Sequence, residues 1–450
     1  MKDVALPPLL IKTDADGFTV VAIQKRSVPL FHARLSLPAG TAFDPGVGAA
    51  SKGNKAGLAQ FTADLLRRGT TSRDAHGVDA LIEGMGAQLS VEVSLDESAL
   101  GLTVPAELAA AALDALLEVA LRPSFPEAEV TQARRRALAA LQSDLDEPGV
   151  VAGRAAVRIG YGETHPYGHA AAGTRACVET FTRADAAAFH AARFQRRGAL
   201  LAVAGPGTPE ELLNFARERL AACASDWAAG AVQADAVPAP AVQHAKTRAL
   251  VVHKPDSTQA QVRIVSAGLG RRSGRYHEVA VANTALGGGF TSVLVDAIRV
   301  DRGLSYSVSS RLSMGRHTGL SLFSSFTKNE TLRELIDVAF DKMRGYAAEG
   351  PSAEALAKTQ TYLAGLFPFG LESHEALAEN ISDCVLDGTG LDHLAKYRSR
   401  TAAVTREGVL AAARDLSPGR EGAQIIVVGD GDVAARALSG LCPVEVTQLE

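Results

Sequence analysis

From Val21 the chain reads VAIQKRSVPLFHARLSLPAG, two short apolar runs separated by a polar break, and this pattern predicts a strand, a turn and a second strand. The pattern returns from Leu250 as LVVHKPDSTQAQVRIVSAGL. The second copy lies over the first without a gap, pairing Lys25 with Lys254 and Arg34 with Arg263 at a constant offset of 229 residues. A longer helical stretch repeats as well. FPEAEVTQARRRALAALQ is similar to GPSAEALAKTQTYLAGLF, with Pro126 over Pro351 and Glu129 over Glu354 at an offset of 225, and both begin with proline near the first turn.

Each half closes on an apolar strand and a glycine turn, ALLAVAGPGTPEELL in the first and AQIIVVGDGDVAARAL in the second. Alternating strands such as AQLSVEVSLDESALGLTV are interleaved with amphipathic helices such as AELAAAALDALLEVAL. The expected fold is therefore α+β: two similar lobes from an internal duplication, each with a mainly antiparallel sheet packed by helices, set as a clamshell. Between them WAAGAVQADAVPAPAVQHAKT has no periodic apolar face and reads as a linker. The expected boundaries are an N-terminal lobe over 1–229, a linker over 230–247 and a C-terminal lobe over 248–450.

Composition narrows the function classes more than the fold. The 450 residues are 47% hydrophobic and 21% charged, enough for more than one core and too ordinary for a fibrous or disordered chain. A net charge of −4 spread over both signs gives no field for nucleic acid or an anionic membrane, and the run Arg134, Arg135, Arg136 reads as a solvated helix face. Cys177, Cys223, Cys384 and Cys442 are scattered, with no Cys-x-x-Cys pair for a structural zinc or a dense disulfide framework. The N-terminus lacks the apolar core of a signal peptide, and no later stretch approaches 18 uncharged apolar residues, so no membrane span is expected. The compartment stays open: periplasmic if a signal peptide has been removed, cytoplasmic otherwise.

The glycine turns read as structure rather than nucleotide sites. Gly205, Pro206 and Gly207 lead into Thr208 and Pro209, the chemistry of a strand-to-helix turn with an N-cap. LGGGFTS, from Leu286 to Ser292, lacks the Lys-Ser/Thr of a phosphate loop and reads as a turn beside a functional cleft.

The stretch GLAQFTADLLRRGT, Gly57 to Thr70, has the frame of an inverted zinc motif, H-x-x-E-H, in which two histidines on one helical face bind the metal and the glutamate activates water. With PAGTAFDP, HPYGHAAAGT and ALGGGFTSVLVDAIRVDRGLSYSVSS, it resembles the pitrilysin or insulinase family of zinc metallopeptidases, which includes the mitochondrial processing peptidases. Laid on that motif, the histidine positions are Gln60 and Asp64 and the glutamate position is Ala63; the family's third ligand would fall near Leu141. None of these four makes a catalytic zinc site, so the resemblance implies no metal and no cofactor in this chain. His165 and His169 fall in a segment that the family uses as a structural turn.

The same resemblance implies a role for the C-terminal lobe. Members place an arginine and, seven residues later, a tyrosine where both reach the substrate carbonyl, and Arg299 and Tyr306 have that separation, with Arg302 a second arginine nearby. Locally, Arg299 is expected near the end of a helix over SVLVDAIRV and Tyr306 at the start of the strand LSYSVSS, with Gly303 between. From spacing alone, a surface arginine in an ion pair and a tyrosine sharing an apolar face with Leu304 and Val308 is the favoured reading, and the family resemblance reverses it. Relatives work as pairs in which one subunit keeps the zinc motif and the other the Arg/Tyr pair. The expectation is the non-catalytic subunit of a heterodimeric zinc metalloendopeptidase that hydrolyses unfolded peptides, with zinc supplied by a homologous partner carrying an intact H-x-x-E-H. The alternatives are a proteolytically inactive structural core-type subunit and a stand-alone peptide-binding protein.

Overall fold

The computed structural model describes residues 2–47, 53–223, 225, 227, 241–417 and 421–448. The first half builds a six-stranded sheet from β1 (Leu9–Thr13), β2 (Thr19–Gln24), β3 (Leu30–Leu37), β4 (Ser90–Val93), β5 (Ser98–Pro105) and β6 (Leu200–Gly205), in the order β1-β2-β6-β3-β5-β4. The second half builds another from β7 (Arg248–His253), β8 (Gln259–Leu269), β9 (Val308–Met314), β10 (Thr318–Lys328), β11 (Gln424–Gly429) and β12 (Val444–Gln448), in the order β12-β7-β11-β8-β10-β9. Antiparallel pairing predominates; β2 with β6, β7 with β11 and β7 with β12 are parallel. The fold is the expected α+β pair of similar lobes.

The duplication holds at the level of single hydrogen bonds. Lys25 N–H donates to the Gly205 carbonyl at 2.7 Å, and Lys254 N–H donates to the Gly429 carbonyl at 2.8 Å. The lobes differ at one edge: β1 is the first strand of its half and runs antiparallel to β2, whereas β12 is the last strand of its half and runs parallel to β7. Thr208 caps the helix Pro209–Ala222 in a reciprocal capping box with Glu211, as its turn chemistry requires.

One face of each sheet packs on helices of its own half, forming the two main cores. The opposite face is covered by a helix from the other half. Helix Pro148–Tyr161 lies on β8 and β11, and helix His374–Asp387 lies on β3 and β6. The exchange buries Val21, Ile23, Leu200 and Ala202 under Leu377, Ala378 and Ile381, and Val265, Leu320, Ile426 and Val428 under Ala152 and Ala156. A sheet with two apolar faces needs two covering layers, and here each half supplies the other's second layer.

Residues 230–240 of the expected linker lie outside the described residues. From Ala241 the chain is already packed. Ala241 N–H donates to Thr318 Oγ1 at 2.9 Å, and His244 Nε2 meets the Ile159 carbonyl at 3.1 Å. One helical stretch, Tyr276–Val300, has by length and composition what a membrane span needs. It turns irregular between Gly289 and Ser292, and Val279, Val281, Leu294 and Ile298 are buried in the second core, the usual place of a long apolar helix in a folded lobe. The arginine run is not wholly solvated either, since Arg134 donates to the Phe181 carbonyl at 2.7 Å.

Candidate functional site

The degenerate metal frame is the helix Leu58–Leu66. Its N-cap, Gly57, has φ 95°, and a Cβ there would stand 2.8 Å from Gly173, so the two glycines let the helix start and the turn after HPYGH touch backbone to backbone. The buried amide donors at the helix start, which have no partner inside the helix, are met by Asp44 of PAGTAFDP. Its carboxylate accepts from Gly57 N–H and Ala59 N–H, each at 2.7 Å, and its Oδ2 lies 3.0 Å from His169 Nε2. His165 is buried, accepts the Tyr167 N–H through Nδ1 at 2.9 Å and stacks on Tyr161 at 5.0 Å between ring centroids. Both histidines are therefore held inside the turn. Three separate motifs of the sequence close into one structural cluster around the start of this helix.

The ligand positions present no zinc chemistry. Gln60 Nε2 donates to Asp64 Oδ1 at 2.8 Å across one helical turn, Ala63 is buried, and Leu141 on helix Glu127–Asp146 is buried in the first core. The Asp64 side chain reaches solvent, yet the protein packed around it lifts its carboxyl above the ordinary value by desolvation, against the Gln60 amide, Arg136 and Arg68. An amide, a methyl and a leucine leave one carboxylate as the sole strong donor, and the residues do not fit a catalytic zinc. Among the described residues no group of three or more His, Cys, Asp or Glu is arranged to hold a metal ion.

The C-terminal half brings Arg299 and Tyr306 together. Both line a cavity of about 700 Å³, with the glycines 287 to 289, Phe290, Tyr276 and Tyr397 on its walls. The local structure is less regular than the sequence pattern suggests. Arg299 lies in a wide π turn, Asp296–Val300, closed by Asp301 N–H to the Asp296 carbonyl at 2.9 Å, and it follows a first π turn, Thr284–Gly288, that ends at the glycines. Such turns recur at functional sites because they displace one residue from the helical register.

Tyr306 does not begin a strand; β9 starts at Val308. Gly303, with φ 60°, reverses the chain, and Ser305 closes a tight turn in which its hydroxyl donates to the Ser307 carbonyl at 3.0 Å. Leu304 and Val308 pack against the second core, while Tyr306 is 83% exposed. The apolar face shared with those two residues is thus not where the ring goes. Among the described residues Arg299 has no ion pair or hydrogen bond, and its Cζ lies 4.8 Å from the centroid of the Phe290 ring. Arg302 differs: it donates to the Ala297 carbonyl at 3.2 Å, pairs with Glu334 at 3.9 Å and stands outside the cavity lining.

A second cavity, of about 470 Å³, was not visible in any motif. It lies between the halves and joins Arg34, Glu92 and Glu97 of the first to Arg271, Arg316, Asp383 and Asp387 of the second. Arg34 pairs with Glu97 at 3.2 Å, Arg271 with Asp383 and Asp387 at 3.2 Å each, and Arg316 with Asp387 at 3.1 Å. Burial raises the Glu97 carboxyl, with Asp383 adding to it and Arg34 opposing; burial likewise raises Asp383, against Arg271. Each of these ion pairs stays within its own half; across the cavity Arg316 N–H donates to Asp96 Oδ2 at 2.9 Å, so this charged cluster marks the seam where the halves meet.

Comparison with known proteins gives two family matches on this chain. Residues 36–161 match the model described as insulinase (peptidase family M16), and residues 180–363 match the model described as peptidase M16 inactive domain. An uncharacterized zinc protease of Mycobacterium leprae is 25% identical over 389 residues, 85% of each chain. A non-peptidase homolog of Helicobacter pylori is 23% identical over 374 residues, 80% of this chain and 82% of that one. In structure, a peptidase M16 inactive domain from Pseudomonas fluorescens matches with a TM-score of 0.85 at 23% identity, covering 94% of this chain and 98% of that one. A protease from Helicobacter pylori matches with a TM-score of 0.81 at 16% identity, covering 94% and 100%.

Proposed function

The chain belongs to the insulinase family of zinc peptidases, M16, and from that premise we propose that it is the non-catalytic subunit of a heterodimeric zinc metalloendopeptidase. The partner is a homologous chain with an intact H-x-x-E-H motif, which holds the zinc and its water chemistry. This chain supplies Arg299 and Tyr306. The observation that carries the reading is that both side chains line one cavity while neither commits its donors to another of the described residues. A surface arginine serving the fold would be paired as Arg302 is.

The work of these residues follows from the charge that builds during peptide hydrolysis. As a nucleophile adds to the scissile carbonyl, the oxygen gains negative charge. A guanidinium and a phenol hydroxyl donate more strongly to that oxygen than to the neutral carbonyl, and the difference lowers the barrier. The outermost strand of this sheet among the described residues, β9, lines the same cavity, and an unfolded peptide adding as a further strand beside Tyr306 would have to pass the Thr284–Gly288 turn, where Asn283 Nδ2 donates to the Ser310 carbonyl at 3.0 Å. Recognition through backbone makes the subunit tolerant of sequence.

The experiment is co-expression with the candidate partner from the neighbouring gene. One-to-one association on size exclusion, with an interface well above ~1,200 Å² and peptide hydrolysis by the pair alone, supports the reading. Separate elution at micromolar concentration, or hydrolysis by the partner alone at the same rate, contradicts it. A second reading, a peptide-binding or structural protein without proteolysis, draws on the Helicobacter pylori relative known as a non-peptidase homolog. The absence of any companion chain with the intact motif would favour it.

A further inference from the structure

Singly exposed apolar side chains need no explanation, but three around one guanidinium do. Phe290 is 76% exposed, Val300 68% and Tyr306 83%, and all three adjoin Arg299 by sequence or by the shared cavity. The Arg299 guanidinium lies over the Phe290 ring at 4.8 Å from Cζ to the centroid, inside the ~6 Å range of a cation–π contact.

The backbone is built to deliver this ring. Helix Tyr276–Asn283 widens into the first π turn, closed by Gly289 N–H to the Thr284 carbonyl at 3.0 Å, and Ser292 N–H then closes onto the Gly289 carbonyl at 3.2 Å. Gly287 presses the turn against β9: a Cβ there would stand 2.7 Å from Ser310 Cβ and 2.9 Å from Leu294 Cδ1. Phe290 rises from this turn over the second π turn, which carries Arg299.

The choice of an aromatic partner has a chemical reason. A carboxylate would hold the guanidinium by occupying its N–H donors, the groups that a developing oxyanion needs. A ring face holds it through the quadrupole and takes no N–H donor by the charge-assisted hydrogen bonds a carboxylate would form. We propose that Phe290 is the positioning residue of Arg299, fixing the guanidinium at the cavity without consuming its donors. The catalytic consequence rests on the function proposed above; the contact itself does not.

The test uses two variants and two readouts. Phe290→Leu keeps apolar bulk and removes the ring, whereas Phe290→Trp restores an aromatic face. In the isolated full chain, the Arg299 Nε–H resonance, assigned by its loss in Arg299→Lys, is expected to be ring-shifted and slow to exchange. It should move to the position of a free arginine in Phe290→Leu and return in Phe290→Trp. In the complex with the partner, Phe290→Leu is expected to lower kcat roughly 2- to 5-fold at unchanged KM, with Phe290→Trp recovering it. An unmoved resonance overturns the proposal, and so does a moved resonance with unchanged kcat. If the pair shows no hydrolysis at all, the proposed function fails and the resonance alone decides whether Phe290 holds Arg299.

Discussion

Asp44→Ala should unfold the N-terminal half far more readily than any change at the former ligand positions. The Asp44 side chain is 0% exposed and meets three donors, Gly57 N–H and Ala59 N–H at 2.7 Å each and His169 Nε2 at 3.0 Å. Each buried donor left without an acceptor costs about 1–3 kcal/mol, and loss of a helix cap, an overlapping effect, about 0.5–2 kcal/mol. Allowing for partial rehydration, we expect a loss of ~3–5 kcal/mol from these terms. Asp64→Ala removes an exposed carboxylate whose partner is Gln60 on the same surface, and should stay within ~0.5 kcal/mol. Asp44→Asn keeps one acceptor oxygen and should fall between them. The chain has a single tryptophan, Trp227, 4% exposed, in the same core as this helix, its indole N–H donating to the Phe194 carbonyl at 3.0 Å. Guanidinium unfolding followed by its fluorescence therefore reports on this half. An Asp44→Ala midpoint within ~1 kcal/mol of the parent, at equal slope, would refute the claim that the motif frame is retained for the fold.

The isolated chain should carry no stoichiometric zinc and hydrolyse no peptide, because Gln60, Ala63, Asp64 and Leu141 offer one strong donor; elemental analysis showing about one tightly held zinc per chain contradicts this. Leu141→Glu, placing a carboxylate at a site 6% exposed, should lower stability by more than ~2 kcal/mol, and an unchanged melting temperature would mean that the third-ligand position is not core. His32 is 1% exposed, and burial, with Arg34 and His374 nearby, depresses its pKa from 6.5 to about 4. The unfolded chain therefore takes up this proton first as pH falls, and stability present above pH ~6.5 is lost progressively toward pH ~4. About 2 kcal/mol of it should be gone at pH 5, and His32→Gln should flatten that part of the profile; identical profiles would contradict the assignment.

The repeated half-lobe was legible because strand registers leave a residue-by-residue trace: the offset of 229 that pairs Lys25 with Lys254 also carries β2, Thr19–Gln24, onto β7, Arg248–His253. The helix exchange was not. An apolar face on Pro148–Tyr161 says that it must be covered, but composition cannot say which of two similar sheets covers it. Arg299 and Tyr306 stand out only through the family resemblance, since their spacing alone favours the other reading, and their local setting differs from the expected helix end and strand start because a π turn has no sequence period of its own and the Ser305 turn detaches Tyr306 from β9. The charged seam leaves no trace in the sequence because Arg34, Asp383 and Arg316 are brought together by tertiary contact alone. Asp44 stands in PAGTAFDP with no pattern around it to mark its purpose, which only the start of the helix Leu58–Leu66 reveals.

The most direct test of the account is turnover by the assembled pair. Tyr306→Phe removes one hydroxyl and keeps the ring, and Arg299→Ala removes the guanidinium; each should lower kcat by ~10² or more, with the tyrosine variant in the range of ~10² to 10³. Zinc content of the partner and affinity between the subunits should be unchanged, and Arg302→Ala, already paired with Glu334 at 3.9 Å, should turn over normally. Complexes of Tyr306→Phe and Arg299→Ala that stay assembled and keep full kcat would contradict the account and leave this chain a scaffold.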